Sequence, residues 1–340
     1  MVKPFRDSTD LQDDGEALSA RIATDGYLFL RGLLPPEAVA PVRRRCLEIC
    51  REGGWLKGRT ELMDAVAEPS AACVDPEPAF IEIYKRMYGL EEVHALQLRP
   101  EFIDLFERMF GEPVLVHPRA ILRSVFPGHA NFNAPPHQDF PHIQGAIETF
   151  GLWTPLSNCP MEMGGLTVAE GSHRDGVREF KMSNSPGGME VVDPLAGRWR
   201  GSDFAAGDVL IFHSMTVHKG LPNHSTRIRQ SVDGRYQRAS EPIVAASLEP
   251  YAGMGTWPDI YAGWDWAAHQ YYWRALEPRV VTYDTKYYDE RDAMALDLAE
   301  RGDPTARATL LRIIQRDADA AKRDRATALL SQLAPAPSRA

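Results

Sequence analysis

The segment PPHQDFPH, at residues 135–142, carries two histidines and one aspartate. His137 and Asp139 are two residues apart, so their side chains would project to the same face of an extended strand. An imidazole and a carboxylate that converge in this way supply two of the three ligands of a 2-His-1-carboxylate site, which leaves one face of Fe(II) open for substrates. His142 is separated from this pair by a proline and is expected to point elsewhere.

The third ligand should come from a later strand, and the segment GDVLIFHSMTVHKG, at residues 207–220, offers two histidines. His213 ends an apolar strand pattern, so we interpret it as a histidine of the core or of the open end of the predicted barrel. His218 begins the turn into the next strand and is the favoured candidate. The sequence therefore predicts a metal site built from two separate segments.

A candidate anion-binding pair follows His218. Arg229 comes eleven residues later, and Ser231 lies two residues further on, so both would share one face of a strand. A guanidinium beside a hydroxyl suits a carboxylate that is held end-on by a bidentate pair and one more donor. Arg227 would share this face, but its position nearer the turn places it at the open end of the predicted barrel.

The elements that must position these residues fall into three regions. Residues 112–245 contain short apolar or alternating runs separated by turn residues, which is typical of an antiparallel sandwich or barrel. Residues 1–111 predict helices and one strand that pack on this core, and residues 246–333 predict a helical extension. The densely aromatic segment 257–273 is interpreted as a docking surface for that extension in preference to a substrate lid. The tail, residues 334–340, is expected to be disordered.

Composition excludes several classes of partner. The formal net charge is −9, so nucleic acid or an anionic membrane is not expected as a general partner. No signal peptide and no stretch of about 18 apolar residues are visible. The cysteines form no CxxC pair, and we expect free thiols in a cytoplasmic protein. They are Cys46, Cys50, Cys73 and Cys159.

Several segments, taken in this order and spacing, resemble the phytanoyl-CoA dioxygenase family of Fe(II)/2-oxoglutarate oxygenases. They are DGYLFLRGLLPPEAV near the N-terminus, HQD at 137–139, GGLTVAEGSHR at 164–174, GDVLIFHSMTVH at 207–218 and HKGLPNHSTRIR at 218–229. The resemblance covers about residues 25–240. It implies a double-stranded β-helix, which is a cupin-like jelly roll, with an N-terminal α/β addition and C-terminal helices.

The resemblance also implies the chemistry of the site. His137, Asp139 and His218 correspond to the iron ligands, and Arg229 corresponds to the arginine that pairs with the distal carboxylate of 2-oxoglutarate. The cofactor would be Fe(II), and the co-substrates would be 2-oxoglutarate and O2. The implied reaction is hydroxylation of a small-molecule metabolite with release of succinate and CO2, since related halogenases replace the carboxylate that Asp139 retains.

The sequence departs from the family pattern at two positions. Glu170 stands where a proline is usual, and Gly220 stands where a hydroxyl residue often follows the distal histidine. Ser231 is therefore expected to make the second contact with 2-oxoglutarate. Arg123, on the strand before the HxD segment, is a candidate for a further contact.

Two other functions fit part of this sequence. A cupin-like enzyme that uses zinc or manganese would explain the strands and the histidines, but it would give Arg229 no role. A metal-free binding module on the same fold would not need to retain all three ligands.

Overall fold

The computed structural model describes residues 2–128, 134–184, 188–251 and 253–333. The strands, in chain order, are β1 (Tyr27–Leu30), β2 (Val114–Val116), β3 (Ile121–Val125), β4 (Phe150–Pro155), β5 (Leu166–Ala169), β6 (Phe180–Met182), β7 (Met189–Val191), β8 (Trp199–Arg200), β9 (Val209–His213), β10 (His218–Gly220), β11 (Arg229–Arg238), β12 (Ile243–Val244) and β13 (Val280–Val281). The helices are α1 (Gly15–Asp25), α2 (Pro36–Glu52), α3 (Pro78–Tyr88), α4 (Glu91–Ala95), α5 (Pro100–Phe110), α6 (Phe140–Ile143), α7 (Trp257–Tyr261), α8 (Lys286–Glu300), α9 (Arg307–Arg316) and α10 (Ala320–Gln332). The expected disordered tail lies outside the described residues.

Two antiparallel sheets form the centre of the molecule. The larger sheet has the strand order β1-β9-β4-β11-β2, and β3 also pairs with β11. The smaller sheet has the order β10-β5-β8. Aromatic and aliphatic side chains of both sheets, including Trp153, Phe212 and Val168, share one buried cluster between them. This arrangement is the jelly roll with flanking helices that the sequence predicted.

The larger sheet is buried on both faces, because its strands alternate two sets of apolar residues. In β1, Tyr27 and Phe29 belong to the cluster between the sheets, whereas Leu28 and Leu30 belong to the cluster beneath the helices. The same alternation places Ile211 of β9 on the helical side. Since β1 pairs directly with β9, the N-terminal region supplies the edge strand of the core sheet as well as the helices that cover it.

The C-terminal helices α8, α9 and α10 pack around an aliphatic cluster of their own, which contains Leu296, Leu310 and Leu329. The aromatic segment that precedes them is separate from this cluster. Trp257 and Trp264 pack against the ring of His94 at centroid distances of 6.0 and 5.0 Å, within the main core. Across the described ranges, no helix is both long enough and apolar enough to cross a membrane.

We expect Gly207→Ala to destabilise the fold strongly. Gly207 has a φ of +96°, and an added Cβ would lie 2.0 Å from the carbonyl oxygen of Leu34. Gly197 has a φ of +80°, but an added Cβ there would meet no atom within 4 Å. Gly197→Ala should therefore lower the free energy of unfolding by only about 1–2 kcal/mol, which is the cost of alanine in the left-handed conformation. Urea unfolding of both variants measures the difference in free energy of unfolding. Equal losses in the two variants would contradict the predicted backbone clash.

Candidate metal centre and the cavities around it

Backbone pairing brings the two predicted histidine ligands together. The His137 amide donates to the His218 carbonyl at 3.0 Å, and the His218 amide donates to the His137 carbonyl at 2.9 Å. The ring centroids are therefore only 4.2 Å apart. His218 is the first residue of β10, so the distal candidate lies where a short strand of the smaller sheet begins.

The expectation that the HxD segment is an extended strand is wrong. His137 forms only an isolated bridge, and Asp139 has helical angles, φ −75° and ψ −31°, at the start of α6. Its amide donates to the carbonyl of Ser214 at 2.9 Å. Pro141 in the first turn of α6 is the sequence signal for this helix start. The two side chains converge because the chain turns into a helix after the bridge.

The three candidate ligands form a compact donor set. Their ligand atoms all lie within 4.8 Å of one another, and all three residues are buried. The Nε2 atoms of His137 and His218 lie 3.9 and 3.8 Å from Oδ1 of Asp139. Two imidazole nitrogens and one carboxylate oxygen are the donor set that suits a non-haem Fe(II) ion.

The tautomers of both imidazoles are fixed by the backbone. Nδ1 of His137 lies 2.7 Å from the carbonyl of Pro135, and Nδ1 of His218 lies 3.0 Å from the carbonyl of Thr216. A carbonyl can only accept a hydrogen bond, so each Nδ1 carries the proton and each Nε2 presents its lone pair to the site. Burial lowers the pKa of both histidines, which keeps the rings neutral.

Asp139 divides its two oxygens between different partners. Oδ1 faces the histidines, and Oδ2 accepts a hydrogen bond from Nη2 of Arg235 at 3.0 Å. Burial alone would raise the pKa of Asp139, but Arg235 and the two imidazoles outweigh burial and hold the pKa below its ordinary value. The carboxylate is thus ionised and oriented, as metal binding requires.

Arg235 was missed in the sequence, although a signal for it exists. In β11, Val232 and Tyr236 belong to the core beneath the helices. The alternate residues therefore point to the inner face, and they form a polar row. The row consists of Arg229, Ser231, Asp233 and Arg235. Extending the predicted pairing of Arg229 and Ser231 by the same period of two would have reached Arg235.

A small cavity of about 80 Å³ links this row to the donor set. It borders His137, Asp139 and His218 at one side and the buried guanidinium of Arg229 at another. Trp153 forms part of the wall, with its ring centroid 5.7 Å from the guanidinium carbon of Arg229. Gly220 also borders the cavity, and an added Cβ there would meet no atom within 4 Å.

Ser231 and Arg123 lie near Arg229 in different ways. Ser231 is fully buried and accepts a hydrogen bond from Nη1 of Arg229 at 2.7 Å, which helps to fix the position of the guanidinium. Arg123 borders the cavity, but its Nε donates to Asp233 at 2.5 Å. Arg227 is exposed and precedes β11, which separates it from the inner row.

The other histidines lie outside the donor set. Nδ1 of His213 accepts the amide of Met215 at 3.0 Å, and its ring packs 5.3 Å from the ring of His173. His142 lies closer, with its ring centroid 6.5 Å from that of His137, and it packs against Tyr287. Neither belongs to the group of ligand atoms that converge on Asp139.

A second, larger cavity of about 420 Å³ adjoins the candidate ligands. It also borders His137 and Asp139, and its far wall is formed by tyrosines and arginines, many of them from the region after β11. The described residues that line it do not include Trp257 or Trp264, so the aromatic segment packs in the core and does not form the cavity wall. Its size lies in the range of small-molecule binding sites.

A jelly roll with this donor set and a buried arginine defines an Fe(II)- and 2-oxoglutarate-dependent dioxygenase. Residues 22–231 match the phytanoyl-CoA dioxygenase family, and the chain belongs to this family. The predicted activity class is thereby confirmed, together with Fe(II), 2-oxoglutarate and O2 as its cofactor and co-substrates.

Two curated Streptomyces proteins named 1-deoxypentalenic acid 11-beta-hydroxylase are similar to this chain. The protein from Streptomyces exfoliatus is 31% identical over 266 residues, which are 74% of this chain and 90% of the relative. The protein from Streptomyces arenae is 30% identical over 264 residues, with 73% and 89% coverage. A crystal structure of EctD from S. alaskensis in its apo form has a TM-score of 0.48 at 18% identity, covering 71% of this chain and 82% of that chain.

We expect His137→Ala, Asp139→Ala and His218→Ala each to abolish tight Fe(II) binding and turnover, because three protein ligands leave no spare. His213→Ala is the control and should retain both. His142→Ala should retain iron binding. Anaerobic Fe(II) titration and succinate formation measure the two properties. An inactive His213 variant beside an active His218 variant would show that the distal ligand is assigned wrongly.

Arg235→Met should weaken Fe(II) binding roughly 10- to 100-fold, because Asp139 loses the hydrogen bond that orients its carboxylate. Arg238→Met removes the same kind of side chain from β11, but Arg238 pairs with Glu148 outside the donor set. Competition with a chelator of known affinity compares the two variants. Unchanged iron affinity in Arg235→Met would mean that Asp139 keeps its orientation without this arginine.

Proposed function

We propose that His137, Asp139 and His218 bind the catalytic Fe(II), and that Arg229 binds the distal carboxylate of 2-oxoglutarate. The observation that carries this assignment is the small cavity, because it borders all three candidate ligands and Arg229 together. 2-Oxoglutarate is a dicarboxylate, so one end of it can bind the metal while the other end binds the buried guanidinium of Arg229. The zinc or manganese alternative leaves this arginine unexplained, and the family match favours the oxygenase.

Arg229 is suited to this role by its surroundings. Nη1 of Arg229 donates a hydrogen bond to the hydroxyl of Ser231, and Nε is buried without a hydrogen-bond acceptor among the described residues. A buried donor without a partner is costly, and a bound carboxylate would satisfy it. We therefore assign Ser231 to the positioning of Arg229, which revises its expected role as a direct contact with 2-oxoglutarate.

The remaining residues of the inner row keep the site organised. Arg235 holds the carboxylate of Asp139, and Arg123 is held in turn by Asp233. Burial alone would lower the pKa of Arg123, but the neighbouring carboxylate of Asp233 outweighs burial and raises it, so the guanidinium stays charged. Arg123 borders both cavities and so forms part of the wall between 2-oxoglutarate and the primary substrate.

Bound Fe(II) supplies the redox centre at which O2 and 2-oxoglutarate are converted, with release of succinate and CO2, while the substrate is oxidised. The chain contributes ordered neutral imidazoles, an ionised carboxylate and a largely buried site that limits access of water. The substrate is a small molecule bound in the larger cavity. Hydroxylation is the outcome we propose, since Asp139 is retained and the curated relatives are hydroxylases.

The organisation of the chain fits this function. Residues 112–245 hold the proposed iron and 2-oxoglutarate sites, residues 1–111 cover the core sheet, and residues 246–333 complete the larger cavity. The four cysteines lie in the described ranges, are buried and form no disulfide there, which suits the reducing cytoplasm. The net charge of −9 gives no reason to expect nucleic acid or an anionic membrane as a partner.

Arg229→Ala should lower the affinity for 2-oxoglutarate roughly 30-fold to a few thousand-fold. Loss of one partner of a buried charged pair costs about 2–5 kcal/mol, at about 1.4 kcal/mol per tenfold. Arg229→Lys should recover only part of this loss, because an ammonium cannot reproduce the planar fork. Iron binding should persist. The measurement is titration of 2-oxoglutarate into each Fe(II)-loaded variant without oxygen.

Arg227→Ala is the matched control for this titration, because Arg227 is two residues away but exposed. It should bind 2-oxoglutarate nearly as the unmodified protein does. Normal affinity in Arg229→Ala, or a larger loss in Arg227→Ala, would refute the assignment. Absence of 2-oxoglutarate binding and of succinate formation in the unmodified protein would refute the proposed function itself.

A further inference from the structure

The larger cavity carries an excess of positive charge. Among the described residues that line it, six are arginines and two are aspartates. Arg123 and Arg235 already pair with Asp233 and Asp139 beside the proposed iron site. The other four arginines line the same cavity, and three of them come from the C-terminal helices. They are Arg119, Arg291, Arg312 and Arg316.

Two of these arginines share a single carboxylate. Arg312 and Arg316 are four residues apart on α9, so they point to the same side of the helix. Their Nη2 atoms lie 3.7 and 3.3 Å from the two oxygens of Asp75. One carboxylate balances only one guanidinium. In addition, Nε of Arg316 is buried without a hydrogen-bond acceptor among the described residues.

Arg119 adds a second unbalanced charge. Its guanidinium donates to the carbonyls of Glu249, at 3.1 Å, and of Ala246. Within the described ranges, no carboxylate lies at ion-pair distance from it. Arg291, in contrast, pairs with the adjacent Asp292 at 2.6 Å. Arg119 is half-buried, and a partly desolvated guanidinium without a counter-charge at the cavity wall favours an anionic occupant.

The rest of the cavity is suited to an apolar body. Phe80, Ile121, Phe126 and Ile143 line it together with the arginines and the candidate iron ligands. Tyr251 also lines it, and its ring centroid lies 5.5 Å from the guanidinium carbon of Arg316. Charged groups and apolar walls within one cavity point to an amphipathic ligand with one anionic end.

We propose that Arg119, Arg312 and Arg316 bind an oxyanionic group of the primary substrate, a carboxylate or a phosphate ester, while its apolar part extends toward the iron ligands. This inference rests on the proposed function in taking the larger cavity as the substrate site. The anion site draws on three regions of the chain, because Arg119 precedes β3, Asp75 precedes α3, and the other two arginines belong to α9. The C-terminal helices thus select the substrate by its charge.

The test compares three probes that share one chain length: decanoate, decyl phosphate and decan-1-ol. Each is titrated by calorimetry into the full-length protein loaded with Fe(II) and saturating 2-oxoglutarate, without oxygen. The saturating 2-oxoglutarate keeps decanoate out of the site at Arg229. We expect at least one anionic probe to bind roughly 10-fold or more tightly than the alcohol, as expected for charge-assisted hydrogen bonds. The tighter anion identifies the headgroup.

Arg316→Met and Arg119→Met should each reduce that preference roughly 10- to 100-fold or abolish it, whereas affinity for decan-1-ol should change little. Arg316→Met leaves Arg312 paired with Asp75, so the carboxylate of Asp75 keeps a counter-charge. Arg325→Met is the control, because Arg325 is exposed on α10 and pairs with Glu300. It should retain the full preference.

Equal affinity for the alcohol and both anions, or no binding of any probe, would overturn the proposal. Persistence of the preference in both Arg316→Met and Arg119→Met would overturn it as well. Affinity for 2-oxoglutarate is measured on the same preparations. Normal 2-oxoglutarate binding with a failed probe experiment rejects the anion site alone, whereas loss of 2-oxoglutarate binding in the unmodified protein rejects the proposed function.

Discussion

The carboxylate of Asp139 is the point at which three parts of the fold meet. One oxygen faces the imidazoles of His137 and His218, and the other is held by Arg235. This places the start of α6, a strand of the smaller sheet and the long strand of the larger sheet around one charge. Burial opposes ionisation of Asp139, and Arg235 and the two histidines are the neighbours that hold its pKa below the ordinary value. The donor set therefore depends on correct packing of both sheets.

Much of this site could be predicted from the sequence, because its residues lie in short segments with local patterns. Each prediction used only residues that are close together in the sequence. These were the HQD spacing, the apolar run shortly before His218 and the position of Arg229 after His218. The backbone at Asp139 was predicted wrongly, since the spacing alone does not distinguish an extended strand from a bridge followed by a helix. Pro141 was the local signal for the helix. The two-sheet core with flanking helices was predicted correctly, because alternation and turn residues are also local properties.

The larger cavity could not be predicted in this way. Asp75 and Arg312 are separated by more than half of the chain, and no spacing rule relates them. Their contact depends on how α8 to α10 pack beside the N-terminal helices, and this packing is a property of the tertiary structure. A helix with arginines four residues apart usually indicates a solvated face. Arg312 is instead buried against a cavity, and only the packed structure shows this difference.

The alternation along β11 has a consequence for how proteins of this kind can diverge. One face of this strand carries the charged row, and the other face packs under the helices with Val232 and Tyr236. A substitution at a single position of β11 leaves the alternation of the two faces unchanged. Insertion or deletion of one codon would exchange the two faces, burying charges under the helices and leaving the cavities lined by apolar groups. Length variation should therefore be confined to the connecting loops and the terminal regions, while β11 keeps a constant length.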